Sequence, residues 1–402
     1  MDAAPTINNR PAPRRLPKNV KLLGWASLLN DVASEMIFPL LPQFLISVLG
    51  GNRFYLGIIE GAADSASSLV KLWSGRQSDR GGGRKRLVVF GYALAAIARP
   101  LTGILAFPWQ LFGVRVADRI GKGIRTSPRD ALIADSTEPD IRGRAFGFHR
   151  GMDHLGAAVG PLLAAAFLYF WSDGLREMFL LTLVPGVAVV ALLVFGLCEP
   201  NIKPRPVVAP RDVTTGRGFM GFTLRPFDRR FRLYLLALVV FTLGNSSDAF
   251  LLVRAGELGV ATWLLPILWC MFHIVKSAGN IFGGRAVDRW GPRPMILIGW
   301  LYYACVYLAF ALATAEWQVW ALFVAYAIFY AVTEPAEKTL VANLVGPENR
   351  GLAYGWFNCA VGIATLPASL AFGALYQTCG PLAAFGSGAG LALVAAILLS
   401  RL

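Results

Sequence analysis

From residue 20 to residue 400 the chain is a succession of apolar runs, each long enough for the roughly 20 residues that a bilayer-spanning helix requires. Twelve are distinguishable, with approximate limits 20–49, 54–76, 87–107, 109–135, 145–171, 178–198, 233–255, 262–286, 295–315, 317–342, 352–378 and 381–400. With 55% hydrophobic and only 15% charged residues, the chain is too apolar for an ordinary soluble domain. The expectation is an all-α membrane protein of twelve transmembrane helices.

The formal net charge of +14 admits a nucleic acid, an anionic membrane surface or an anionic substrate as partner, and its distribution separates them. Cations gather in the even-numbered connections: Arg76, Arg80, Arg84, Lys85 and Arg86 after the second run, Arg142 and Arg144 after the fourth, Arg285, Arg289 and Arg293 after the eighth. By the positive-inside rule the protein is multi-pass in the cell's inner membrane, with both termini cytoplasmic. No aromatic-basic surface accompanies these short loops, so no nucleic-acid partner is expected. Residues 1–19 read as a disordered cytoplasmic tail. The stretch 199–232, punctuated by Pro200, Pro204, Pro206, Pro210 and Pro226, reads as a cytoplasmic linker between six-helix bundles at 20–198 and 233–402. Cys198, Cys270, Cys305, Cys359 and Cys379 show no C-x-x-C spacing and lie in or beside apolar segments, as small packing residues do.

Charge also occurs where it is expensive. In the fourth run Arg115, Asp118, Arg119, Lys122, Thr126 and Arg129 share one helical face, with Arg125 and Asp130 at its margins. Such a ladder at membrane depth needs counter-charges. Four carboxylates can supply them: Asp31 and Glu35, midway through the first run beside Asn30, and Glu60 and Asp64, on one face of the second run with Lys71. Asp31 and Glu35, one turn apart, are the first candidates for proton coupling, with Glu60 and Asp64 next, because a carboxylate that exchanges an Arg partner can load and release a proton. Asn30, Arg115, Asp118, Arg119, Lys122 and Arg125 are the expected substrate-binding residues of the first half. Asn245, Asp248, Lys276, Glu334 and Lys338 are those of the second. His149, Asp153 and His154 in the fifth run lack a second ligand set, and no metal site is expected there.

The halves repeat one another. Gly75-x-x-x-Asp79-Arg80-x-Gly82-x-Arg84-Lys85 returns as Gly284-x-x-x-Asp288-Arg289-x-Gly291-x-Arg293-Pro294, and S-P-R-D-A-L-I…R-G-R-A-F-G-F returns as E-P-A-E-K-T-L…R-G-L-A-Y-G-W. Twelve runs in two six-run halves with this loop motif in both resemble the major facilitator superfamily, over residues 20–400. The resemblance implies two pseudo-symmetric bundles and a latch in which Asp79, and its weaker copy Asp288, meets nearby cations and a facing helix terminus. Gly75 suits close helix approach, and Arg80, Arg84 and Arg289 suit the cytoplasmic surface. Arg115 stands at the family's fourth-span arginine, but Arg119 replaces the glycine usual four residues on. Gly147, Gly156, Gly160 and Pro161 match the fifth-span antiporter motif, except that Ala164 and Ala165 stand where a glycine pair is common, and imply a bent helix packed between the halves.

No G-x-x-x-x-G-K-[ST] loop is present, so energy comes from an ion gradient unless the protein is a uniporter, and no catalytic spacing points to an enzyme. The expected function is transport of a small organic molecule, anionic or amphiphilic, by a monomer that exports it against protons and needs no cofactor. The alternatives are proton-coupled import of an organic or metal-chelate anion, and a non-transporting receptor with a transporter fold.

Overall fold

The computed structural model describes residues 15–41, 44–51, 53–81, 83–171, 173–199, 224–245, 248–260 and 264–402. Most of the expected tail and most of the expected linker lie outside the described residues. Every regular element among those described is helical. The helices are α1 (Lys18–Ile37), α2 (Arg53–Gly81), α3 (Arg84–Leu101), α4 (Pro108–Asp135), α5 (Arg142–Phe170), and α6 in two pieces, Leu175–Leu181 and Leu183–Gly196. The second bundle begins with α7, also in two pieces, Arg229–Gly244 and Ala249–Glu257, then α8 (Leu265–Trp290), α9 (Pro292–Leu312) and α10 (Glu316–Leu344). Arg350–Ser400 follows as one hydrogen-bonded run that Gly380, at φ 83°, divides into α11 and α12. That left-handed conformation is one only glycine adopts at little cost, and Pro381 follows it directly.

Three of the expected runs are interrupted, the sixth only by a single turn residue at Thr182. The first stops as an α-helix at Ile37 rather than continuing to 49, because Pro39 cannot donate to the ladder and the chain tightens into a 3-10 turn, Phe38–Leu40. The seventh breaks at Asn245, whose backbone turns extended at ψ 91°. Elsewhere sequence and structure agree on where helices start, and the reasons are local. At the head of α4 the Gln110 side-chain oxygen accepts from the backbone N–H of Ala106 (2.8 Å) and Phe107 (3.0 Å). At the head of α10 Gln318 does the same for Thr314 (2.7 Å) and Ala315 (3.0 Å), so the repeat extends to the capping residues. Asp228 caps α7 by accepting from the N–H of Phe231 at 2.9 Å.

Seven of the helices are long and apolar enough to cross a membrane by length and composition. Those that fall short are the broken α7 and the helices that carry interior charge, α1, α2, α4 and α8. Lipid offers little hydrophobic drive between helices, so packing depends on close approach and shape. A Cβ on Gly75 would stand 2.1 Å from the carbonyl oxygen of Gly351, and one on Gly284 would stand 2.4 Å from that of Gly143. These glycines bring α2 against α11 and α8 against α5 at the ends that bear the basic loops. The second bundle is filled with aromatic rings, among them Phe241 stacked on Trp300 with centroids 4.7 Å apart and Tyr303 on Tyr307 at 4.1 Å.

Candidate functional site

A cavity of about 1060 Å³ lies between the bundles, walled by α2, α4 and α5 on one side and α7, α10 and α11 on the other. Asp64, Lys71, Lys122 and Arg150 line it from the first bundle, and Asn245, Asp248, Glu334, Glu337 and Lys338 from the second.

The arginine ladder of α4 is turned mostly into the first bundle. Arg115 lies 3.6 Å from Asp118, and Arg119 lies 3.2 Å from Asp64. The Arg125 guanidinium sits 4.4 Å over the Tyr92 ring, a contact that strengthens when water is excluded. Of the α4 residues expected to bind substrate, only Lys122 reaches the cavity wall; Arg115, Asp118, Arg119 and Arg125 are absent from it, as is Asn30 on α1. The physical reason is an arginine that the reading of the ladder did not include. Arg99 on α3 donates to Asp118 at 2.9 Å and to the backbone and side-chain oxygens of Asn30 at 2.7 and 3.0 Å, binding α1, α3 and α4 into one buried network. An arginine inside an otherwise apolar run was the signal available for it.

Asp31 accepts from the Asn30 amide at 2.7 Å, and its charged surroundings are Asp153, Lys122 and Arg125. Glu35, one turn on, faces Asp31, Lys122, Arg119 and Arg99. Neither carboxylate has an ion pair within 4 Å among the described residues. The side chain of Glu60 lies outside the described residues.

Three hydrogen bonds among the described residues cross between the bundles at depth, one of them the Ser277 hydroxyl of α8 donating to the Gly151 carbonyl of α5 at 2.7 Å. Lys338 on α10 donates to Asp130 on α4 at 2.6 Å, with side chains 3% and 2% exposed. Glu334, also on α10, meets His154 of α5 at 2.8 Å while accepting from Asn280 at 3.2 Å and lying 3.6 Å from Lys276. Lys276 stands behind the cavity wall, 3.6 Å from the centroid of Tyr330. Asp248 accepts from Tyr326 at 2.7 Å and Tyr330 at 3.3 Å, and Asn245 accepts from Tyr303 and Tyr326, both at 3.3 Å. Arg150, another residue the sequence reading passed over, donates to Asp153 at 3.0 Å. Asp153 also accepts from Ser27. No group of three His, Cys, Asp or Glu among the described residues is placed to hold a metal.

At the ends bearing the basic loops the Asp79 carboxylate accepts from the backbone N–H of Gly351 (2.9 Å) and Leu352 (2.7 Å), the first turn of α11. Asp288 does the same for Gly143 (2.6 Å) and Arg144 (3.0 Å), the first turn of α5. Each acid therefore closes the orphan donors of a helix in the opposite bundle. Beside Asp79 the bonds are charged: Arg84 reaches Asp79 at 2.9 Å and also Asp135, and Arg350 from the other bundle meets the same Asp135. Beside Asp288 the position of Asp135 is taken by Asn343, which accepts from Arg142 at 2.8 Å. Arg80 and Arg289, expected in the latch, are exposed at the surface; the cation at the contact is Arg84. In α5, Gly147 does pack between the bundles, 2.3 Å in Cβ terms from the Asn280 carbonyl of α8. Gly156 and Gly160, followed by Pro161, pack instead on α1 of their own bundle, against the carbonyls of Leu28 and Val32, because α1 and not α8 runs beside the outer half of this helix.

The model of the major facilitator superfamily matches residues 23–274 and 233–402. An MFS-type transporter of Methanocaldococcus jannaschii is 32% identical over 392 residues, covering 96% of this chain and 95% of its own. The multidrug resistance protein MdtH of Salmonella arizonae is 22% identical over 338 residues, covering 82% and 78%. Among solved structures the human organic anion transporter MFSD10 superposes with a TM-score of 0.78 at 18% identity, over 95% of this chain and 99% of that one. Two helical bundles around a central cavity, a latch motif in both halves and these similarities agree, and the chain belongs to the major facilitator superfamily of membrane transporters.

Proposed function

We propose that the protein is a proton-coupled exporter of a small organic molecule, acting as a monomer in the inner membrane with its termini and the Asp79 latch on the cytoplasmic side. The observation that carries the coupling is the contrast among the acids inside the first bundle. Asp118 and Asp130 are ion-paired, whereas Asp31 and Glu35 stand one turn apart opposite Lys122 and the ladder with no ion pair within 4 Å among the described residues. A carboxylate so placed changes its proton occupancy when the surrounding cations shift. The basic loops support the orientation. The family's fifth-span motif and the similarity to a multidrug resistance protein support export. In proteoliposomes with an imposed pH gradient, Asp31→Asn and Glu35→Gln are expected each to lower gradient-driven transport at least tenfold while leaving the protein folded. If both variants transport normally, coupling resides elsewhere.

The latch geometry supports alternating access by rocking of the bundles about the cavity. Asp79→Ala removes two bonds to the α11 terminus and one to Arg84, so it shifts the population towards the state open at that end. Spin-label distances across the basic-loop face should lengthen for Asp79→Ala and lengthen less for Asp288→Ala, beside which Asn343 stands where Asp135 stands on the other side. Equal responses would remove the distinction between the two sites.

A further inference from the structure

Most charges on the cavity wall are already engaged. Asp64 is paired with Arg119, Arg150 with Asp153, Glu334 with His154 and Lys338 with Asp130, while Asp248 takes two tyrosine hydroxyls. Three remain without an ion pair within 4 Å among the described residues: Lys71 on α2, Lys122 on α4 and Glu337 on α10. The two lysines feel one another across the same wall, and the carboxylate belongs to the opposite bundle. The same cavity is also lined by the rings of Phe241, Phe329, Tyr330 and Phe357. A charge held in such a place without a partner is costly, and a ligand that brings the counter-charge recovers that cost.

We propose that the cavity binds a zwitterionic aromatic amphiphile, its carboxylate held by Lys71 and Lys122 and its ammonium by Glu337. This rests on the exporter reading and assigns its substrate class. The arrangement also removes a difficulty for export against protons. A purely anionic ligand would bind better as cavity acids become protonated, which is cooperation, whereas antiport needs competition. An ammonium on Glu337 competes with a proton for the same oxygens. The groups around Glu337 are Tyr234 of α7, Trp300 of α9, Glu334 and Lys338 of α10 and Arg150 of α5; Phe357 and Asn358 of α11 carry no charge. Lys338 and Arg150 are committed to Asp130 and Asp153, so neither is released to neutralise Glu337.

The test is equilibrium binding to the full chain in lipid nanodiscs, read by the fluorescence of three probes on one scaffold. Nα-dansyl-L-lysine carries an aromatic body, a carboxylate and an ammonium; its methyl ester lacks the carboxylate, and its Nε-acetyl derivative lacks the ammonium. The zwitterion is expected to bind at least tenfold more tightly than either relative. Lys71→Met with Lys122→Met should abolish the preference over the ester while leaving that over the acetyl form, and Glu337→Gln should do the reverse. With Lys71→Met and Lys122→Met in place, so that Glu337 is the ligand-holding group left to titrate, affinity for the zwitterion should fall as pH is lowered from about 8 to about 6, a range in which the probe's own carboxylate and ammonium stay ionised, and adding Glu337→Gln should remove that slope. Each ratio is taken within one variant, so a general loss of stability cannot imitate the result. Equal affinity for the three probes, preferences that survive the substitutions, or no saturable binding of any probe would overturn the proposal. Zwitterion binding without gradient-driven transport would instead refute proton-coupled export and leave the binding site standing.

Discussion

Asp130→Asn is expected to destabilise the protein by about 3–5 kcal/mol, the cost of leaving a buried cation without its counter-charge. Asp130 holds Lys338 at 2.6 Å and Arg129 at 3.2 Å, and all three side chains are nearly inaccessible. The asparagine keeps the shape and one acceptor, so the loss reports charge and not packing. Thermal unfolding followed by the buried tryptophan signal in nanodiscs measures it. Pairing the change with Lys338→Met should restore the part of the stability lost to the stranded lysine and leave the part lost at Arg129, the other cation held by Asp130. A single substitution with no effect would mean that water or lipid headgroups already neutralise this site.

Gly75→Leu is expected to reduce transport on the order of a hundredfold, equivalent to about 2.7 kcal/mol against the closed latch. Even a methyl group at this position would meet the Gly351 carbonyl oxygen at 2.1 Å, and that oxygen belongs to a helix backbone which cannot swing aside. Closure at the Asp79 end is then blocked, and the bonds from Asp79 to Gly351 and Leu352 are stretched or lost. Distance measurements between labels on the loops after α2 and α10 should show the open population dominating. Gly113→Leu, at a position where an added Cβ meets nothing within 4 Å, serves as the control and should transport as the parent does.

Much of the architecture was legible because its causes are local in sequence. Length and hydropathy delimited the runs, and the duplicated Gly75/Asp79 and Gly284/Asp288 patterns marked where the bundles meet. The site was less legible. A helical wheel places Arg115, Arg119 and Lys122 on one face but does not say which neighbour that face meets. Arg99, far away in sequence, occupies Asp118 and Asn30, and Asp64 takes Arg119, so the ladder is largely spent inside its own bundle. Lys71 and Glu337 emerged as cavity residues only once their neighbours proved to be engaged with others. The break at Asn245 escaped the hydropathy pattern because the polar residues there resemble one more turn of a charged helix face.

The two ends of the pseudo-symmetric closure do not carry equal fastenings. Asp79 is backed by Arg84, Asp135 and Arg350, whereas on the Asp288 side an asparagine stands in for Asp135, and Arg293, the counterpart of Arg84, donates instead to the Ser400 carbonyl of its own bundle at 2.6 Å. At the basic-loop face the charged knot therefore sits on the α2–α11 seam, while the α5–α8 seam relies on the Asp288 cap there and on the Ser277–Gly151 bond deeper in, so added salt is expected to loosen the first seam more than the second.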